Sequence, residues 1–336
     1  MSHAEAVPAG EEILLVSDLR VLYELGGRTG AAVDGVDLAL RPGDSLGLAG
    51  ESGCGKSTLA LACMGLLPKN ASVEGSITFR GEELIGAKPG RLRAIRWAGI
   101  AMVFQGAMNA LNPVKRIEDQ IAEAMLLHGE RSASRARASA AELMELVGIP
   151  ARRVRDYPHE FSGGMRQRVM MAMALACNPP LVIADEPTTA LDVMIQAQII
   201  ELLDQLRREM GLTLIVITHD LSVLAQVAER VAIMYAGRIV EHGFSSEVLS
   251  RPAHPYSKAL VGAFPRVGDA SSRRIPMGLP GDPPDPANRP PGCAFHPRCP
   301  QRFEPCDHID PGLTFITPEW SAACHAVELE VKSGAR

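Results

Sequence analysis

Apolar and polar residues alternate in short stretches from Glu12 to Phe79, separated by glycine-rich turns. ILLVSDLRVLYEL, AAVDGVDLAL and GSITFRGEEL each predict a strand, in a region that reads as antiparallel. Between them lies DSLGLAG, a compact apolar run ending in glycine, and the helix former KSTLALACMGLL follows at once. Strand, glycine-rich loop, helix is the order of a βα unit. LVIAD and LTLIVITHD read as further buried strands, with the amphipathic helix VMIQAQIIELLDQLRREM between them. The pattern predicts a parallel α/β core.

Helical periodicity takes over from Asn109 to Cys177, in IEDQIAEAMLLHG and SRARASAAELMELVGI, with no convincing strand. We read residues 109–177 as a helical insertion, with Arg131–Ala141 a solvated helix face and the methionines of VMMAMALAC in the core. Near Val267 the character changes. Pro276–Gly292 is too rich in proline for a helix or a central strand and predicts an extended, semi-rigid linker. A short Cys- and His-rich tail follows. The expected division is a principal domain over residues 1–266, a linker over 267–292 and an extension over 293–336. The predicted fold class is α/β: a parallel core with an antiparallel β subdomain, a helical insertion and a small Cys-rich C-terminal extension.

Composition narrows the function classes. Length of 336 residues fits two domains, or one with an appendage. A net charge of -5 provides no basic field, so nucleic acid is not an expected partner. No apolar run approaches the ~18 residues that a bilayer span needs. MSHAEAVPAGEE has neither a basic nor an apolar leader region, so export is not expected. Seven cysteines is an odd number, which argues against an obligatory disulfide framework. A cytosolic protein is expected.

The chemistry is concentrated in a few segments. Gly50–Ser57 reads GESGCGKS, a G-x-x-x-x-G-K-S phosphate loop between a predicted strand and a predicted helix. Backbone amides from Gly50 through Ser52, Gly53, Cys54 and Gly55 would turn inward around phosphate oxygens, next to the helix start at Lys56, Ser57 and Thr58. Lys56 would reach the terminal phosphates and Ser57 would ligate Mg²⁺. In LVIADEP, Asp185 would hold the hydrated Mg²⁺ at the strand's carboxyl end. Glu186 would point the opposite way in an extended chain and polarise an attacking water. Taken together, these residues predict a Mg-ATP hydrolysing core.

FSGGMRQR, residues 161–168, separates this chain from other phosphate-loop enzymes. Ser162, Gly163 and Gly164 precede a helix and would form a second anion-binding helix start. With this stretch the chain closely resembles the nucleotide-binding subunits of ABC transporters, over about residues 13–264. The resemblance implies that the signature of one subunit closes over ATP held by the phosphate loop of another, and that Met165, where glutamine is commoner, costs little. It implies that Gln105 in MVFQ senses Mg²⁺ and the attacking water. It implies that Asp192 in TTALD communicates across the dimer and that His219 in VITHD contacts the γ-phosphate. Tyr23 matches the aromatic that stacks on adenine, or else is a strand tyrosine in the core. Closure would reach a membrane partner through the helical insertion, near Gln105 and GAMNALNPV.

HPYSKALVGAFP and PPGCAFHPRCPQRFEPC resemble the C-terminal extension of ATPase subunits of oligopeptide and dipeptide importers. That branch implies two transmembrane permease subunits, an extracytoplasmic peptide-binding protein, and a second related ATPase subunit or a second copy of this one. It also implies a peripheral location on the cytoplasmic face of the membrane. Importers of nickel or glycosides use sibling subunits. Exporters lack such a tail, and ABC ATPases acting on DNA or ribosomes need a coiled coil, a tandem cassette or a basic surface. Cys293, Cys299, Cys306 and Cys324 suit a [4Fe–4S] cluster, zinc, or plain reduced thiols, with His296, His308 and His325 as substitutes or spectators. Cys299-Pro300 echoes ferredoxin-type ligation, and no C-x-x-C knuckle is present. Cys54, Cys63 and Cys177 read as small core residues.

Overall fold

The alternating N-terminal stretches form β1 (Leu14–Leu25) and β2 (Arg28–Leu40), which join β4 (Ala71–Phe79) and β5 (Glu82–Glu83) in a sheet ordered β2-β1-β4-β5. The computed structural model describes residues 12–104, 106, 110–189, 191–263 and 281–334. Gln105, most of GAMNALNPV's first half and the chain boundary near residue 270 lie outside them. β1 runs antiparallel to β4, from Leu14 opposite Phe79 to Tyr23 opposite Ala71, with a bulge between Ser17 and Arg20. Val33, Val36, Leu38 and Leu40 of β2 are buried, as the alternation requires.

This β-rich unit comprises Leu14–Ala39, Ser45–Ile85 and the chain from Thr218 onward. It includes β3 (Ser45–Ala49), buried at every position, and α1 (Lys56–Cys63). β9 (Arg230–Tyr235) pairs with β3 in parallel, and β10 (Arg238–Phe244) returns antiparallel to β9. α7 (Leu221–Val227), α8 (Ser245–Val248) and α9 (Pro255–Ala263) complete the part before the tail.

The cysteine-rich extension belongs to the same unit. It adds β11 (Thr314–Thr317), β12 (Trp320–Ala322) and α10 (His325–Lys332), and β12 pairs antiparallel with β10. Glu241 of β10 is fully buried, and its carboxylate accepts from Ala253 N, His254 N and the Trp320 indole N–H at 2.8–2.9 Å. Burial holds this carboxyl above the usual range. Asp34 of β2 takes Arg238 at 2.7 Å and Arg289 at 2.5 Å, and both arginines also meet Asp310. The described part of the proline-rich segment, residues 281–292, is therefore laid along the unit, and the rest of the expected linker lies outside the described residues. Ala31 N donates to Pro286 O at 3.2 Å, because β2 offers its edge there.

The second unit, which comprises Ile13, Leu40–Asp44 and Gly86–Ile217 among its described residues, carries the other parallel strands. β6 (Ile100–Val103), β7 (Leu181–Asp185) and β8 (Thr213–Ile217) are buried along their whole length, which explains why only Asp185 and Thr213, at strand ends, interrupt their apolar sequences. β6 pairs with β7 and β7 with β8, both in parallel. The helices are α2 (Pro89–Ile95), α3 (Ile117–Leu127), α4 (Ala133–Leu146), α5 (Gly163–Leu175) and α6 (Val193–Met210), with 3₁₀ turns at Ala151–Arg155 and Pro158–Glu160. α4 buries Ala136, Ala140 and Met144 at four-residue spacing and leaves Arg135 and Arg137 in water. Met170 and Met171 of α5 are buried, whereas Met173 and Cys177, also expected in the core, are half-buried, Cys177 lying just beyond the helix. Among the described residues no helix is long and apolar enough to cross a membrane.

Candidate functional site

The phosphate-loop sequence leaves β3 at Gly50 and enters α1 at Lys56. Two glycines are demanded by the packing. Gly50 has φ 152, and a Cβ there would stand 2.2 Å from Met234 O. Gly55 has φ 108, and a Cβ there would stand 2.2 Å from Ala32 O. The loop thus folds tightly against β9 and β2, with Ser52, Gly53 and Ser57 left exposed on its open side. Lys56 is buried, and its ammonium donates to Gly50 O at 2.7 Å and Glu51 O at 2.9 Å, with Cys54 Sγ 3.6 Å away. Burial pushes the Cys54 thiol up, with the Lys56 charge opposing it. A buried ammonium held by carbonyl oxygens, beside exposed backbone at a helix start, is an arrangement that receives anions.

Three contacts to this loop were not singled out in the sequence. Tyr256 O–H accepts from Glu51 N at 2.8 Å. Arg298 of the extension reaches both Glu51 carboxylate oxygens, at 2.7 and 2.9 Å. Glu51 occupies a variable position of the motif, so only the fold could single it out. His219 is exposed, one residue beyond Thr218, whose amide donates to Leu48 O of β3 at 3.3 Å. The strand that feeds the phosphate loop therefore also anchors the segment carrying His219. Asp220 caps α7, accepting from Ser222 N at 2.8 Å. Tyr23 is half-buried on β1.

In the other unit, Asp185 ends β7 and is 4% exposed, so its carboxylate is delivered at the strand's carboxyl end and shielded from bulk water. Glu186 departs from expectation. Its φ is 44, so the chain is left-handed there, not extended, and the side chain turns with it. The turn is held by Glu186 N donating to Ile217 O at 2.8 Å and Thr189 N donating to Glu186 O at 3.2 Å. The Thr189 hydroxyl donates to the Glu186 carboxylate at 2.8 Å, which aims it. A non-glycine residue held in this region is a strained feature of the kind that clusters at functional sites.

The signature stretch forms the start of α5. Ser162 is its N-cap, and its hydroxyl accepts from Met165 N at 3.4 Å. Gly163 and Gly164 make the first turn, and a Cβ on Gly164 would stand 2.4 Å from Ile195 Cγ2 of α6. Arg153 holds Met165 Sδ at 3.5 Å and covers the Phe161 ring at 4.3 Å. Asp192 caps α6, accepting from Ile195 N at 3.0 Å, so it carries a local structural task besides any at an interface.

The extension brings Cys293, Cys299, Cys306 and Cys324 to one narrow cavity, together with His254, Phe295, His296 and His325. Burial raises the Cys293 thiol to about 11, with the neighbouring cysteines adding to it. Among the described residues, however, no group of three or more His, Cys, Asp or Glu side chains is placed to hold a metal ion, and all seven cysteines are free. Neither the [4Fe–4S] cluster nor the zinc ion expected from the sequence is thereby supported at this cavity.

Comparison with known proteins agrees with these features. A family profile described as ABC transporter matches residues 33–189, and one described as the C-terminal region of oligopeptide/dipeptide transporters matches residues 240–306. The dipeptide transport ATP-binding protein DppD of Bacillus subtilis is 45% identical over 318 residues, covering 94% of each chain. The oligopeptide transport ATP-binding protein OppD of Escherichia coli is 45% identical over 316 residues, 94% of this chain and 93% of that one. Among solved structures, the ATP-binding cassette MJ0796, a dimer in a post-hydrolysis state bound to ADP and Pi, superposes with a TM-score of 0.62 at 29% identity. It covers 69% of this chain and 98% of its own. By its sequence and its cassette fold, this chain belongs to the ATP-binding subunits of ABC transporters, in the oligopeptide and dipeptide transporter family.

Proposed function

We propose that this chain is the ATP-hydrolysing subunit of an importer for short peptides, working on the cytoplasmic face of the membrane. The observation that carries the reading is the tight phosphate loop with its buried Lys56, in a chain whose C-terminal region matches the oligopeptide/dipeptide family. Lys56 would trade the Gly50 and Glu51 carbonyls for terminal phosphate oxygens. Ser57 and Asp185 are hard oxygen donors of the kind Mg²⁺ takes, and the ion would neutralise charge on the transferring phosphate. Glu186 would orient and polarise the attacking water, with His219 near the γ-phosphate and Gln105 sensing the metal. Tyr23 would stack on adenine.

The relatives named for dipeptide and oligopeptide transport support two permeases and a peptide-binding protein as partners. A groove of about 910 Å³ in the helical unit, lined by Arg93, Trp97, Lys115, Gln120, Glu123 and Leu127, suits a permease element. A second ATPase subunit would pair through the Ser162–Gly164 signature and the Asp192 region. Beside the latter Val193 and Met194 stand 79% and 72% exposed. In proteoliposomes holding the assembled importer, ATP should drive uptake of radiolabelled di- and oligopeptides. Uptake of nickel or glycosides without peptides would reassign the substrate, and ATP turnover indifferent to any permease would overturn the transport reading.

The cysteine cavity belongs to the same proposal. Four soft thiols lining one cavity are the ligand type that a [4Fe–4S] cluster takes. As it stands the cavity has about 10 Å³ of free space, so the thiols would have to spread around it. A cluster there would cross-link the extension. Anaerobically purified protein should then show a broad band near about 400 nm, with about four iron atoms and matching acid-labile sulfide per chain. Protein without iron would leave the cysteines as reduced thiols.

A further inference from the structure

We propose that Arg298, carried by the cysteine-rich extension, is a positioning residue of the nucleotide site, holding Glu51 and through it the resting place of Lys56. The inference rests on reading Gly50–Ser57 as the ATP-binding loop, and it makes the extension part of that site.

Glu51 is fixed at each of its polar groups. Its carboxylate takes both arms of the Arg298 guanidinium, at 2.7 and 2.9 Å. Its N–H donates to Tyr256 at 2.8 Å, and its carbonyl accepts from the Lys56 ammonium at 2.9 Å. Two parallel charge-assisted bonds set orientation as well as distance, which a single bond does not. The Arg298 side chain is 7% exposed, so water screens the pair little. A third donor contact reaches the Tyr235 hydroxyl at 3.3 Å, and the guanidinium lies near the Tyr235 and Phe295 rings. Tyr235, Tyr256 and Phe295 are among the largest fully buried side chains and touch one another with centroids 4.6–5.4 Å apart. The clamp therefore stands on a rigid aromatic floor.

Lys56 is a point charge on a flexible stem, and the carbonyls of Gly50 and Glu51 decide where it rests. Releasing the Glu51 side chain frees the residue that supplies one of those carbonyls. The loop then has to be ordered when nucleotide arrives, which lowers affinity without touching the reacting atoms. Arg298 also directly precedes Cys299, a wall of the cysteine cavity, so whatever fixes that thiol fixes the clamp's backbone.

A rival account makes Arg298 one rivet among several that fasten the extension. Other rivets exist: Arg289 and Arg238 on Asp34 and Asp310, Arg230 on Glu319, and Trp320 on Glu241. They should keep an Arg298 variant folded, and one of them supplies the control. In the full-length chain, binding of trinitrophenyl-ATP and the steady-state KM and kcat for ATP would be measured for Arg298→Ala, Arg298→Lys, Glu51→Gln and Glu319→Gln.

Arg298→Ala should raise Kd and KM by about ten-fold while kcat moves less than about two-fold, a loss confined to binding. Arg298→Lys should recover only part of this, because an ammonium cannot fork. Glu51→Gln should shift Kd in the same direction, and Arg298→Ala combined with Glu51→Gln, measured alongside, should be no worse than the worse single variant. Glu51→Gln carries the same expectation should Arg298→Ala not fold. Glu319→Gln should match the parent. A folded Arg298→Ala with parental Kd and KM overturns the clamp, as does an equal shift from Glu319→Gln. A parent chain that neither binds nor hydrolyses ATP would instead remove the proposed function, and the clamp's role with it.

Discussion

Replacing Glu186 by Gln should leave ATP binding in place and lower hydrolysis by about 10²–10⁴-fold, the range that a positioned general base contributes. Glutamine has the same length and can still accept the Thr189 hydroxyl that now donates to the Glu186 carboxylate at 2.8 Å. The left-handed turn at φ 44 is made by backbone bonds to Ile217 and Thr189, so it should survive the substitution. What disappears is the negative charge that draws a proton from water. Asp185, one residue earlier and buried at the end of β7, is untouched by the substitution and would still offer its carboxylate to Mg²⁺. Phosphate release under saturating Mg-ATP, with trinitrophenyl-ATP titration alongside, separates the two effects. Turnover near the parental rate would take Glu186 out of the role of base.

Gly55→Ala should abolish measurable ATP binding for a reason the motif alone does not supply. The added Cβ would meet Ala32 O at 2.2 Å in a backbone with φ 108, so neither side-chain rotation nor a small shift relieves it. The left-handed conformation adds about 1–3 kcal/mol of strain to the clash. The loop must move away from β2, and the Lys56 nest on Gly50 and Glu51 opens with it. Gly53→Ala is the contrast: φ is 79, but nothing lies within 4 Å of the new methyl group. Its cost should be the backbone strain alone, with ATP still bound. Thermal melts by circular dichroism would show both variants folded, and nucleotide titration would separate them. Equal affinity in the two would mean that the clash with β2 is relieved without disturbing the loop.

Local signals carried most of the architecture. β3, β7 and β8 are buried along their whole length, so their sequences are apolar apart from one polar residue at an end, and needed no partner to be recognised. α6 begins after Asp192, which caps it, and ends at Gly211 with φ 63, both visible as ordinary stop and start residues. Where a residue's conformation depended on neighbours, the sequence misled. Alternation placed Glu186 in an extended chain, yet it leaves the strand in a left-handed turn because its N–H is drawn to Ile217 O. The proline-rich segment read as a spacer, yet Arg289 and Pro286 lay its described part, residues 281–292, along β2. β6 (IAMV) and β9 (RVAIMY) carry equally apolar buried runs that the sequence reading did not single out, and β10 and the β11–β12 hairpin show little apolar alternation of their own.

The sequence by itself determined the chemistry on offer: a loop able to turn its amides inward, a lysine at a helix start, and acids at a strand end. Each of these depends on residue types at fixed short spacing, and short spacing is preserved in any fold that keeps the local element. Tertiary structure alone decided what holds that chemistry in place. Arg298 and Glu51 are 247 positions apart, and no periodicity or motif links them. They meet because the extension adds β12 to the same run of strands that carries β10, β9 and β3, and so returns beside the phosphate loop. Long-range contacts follow from how buried surfaces close on each other, a property of the folded chain as a whole.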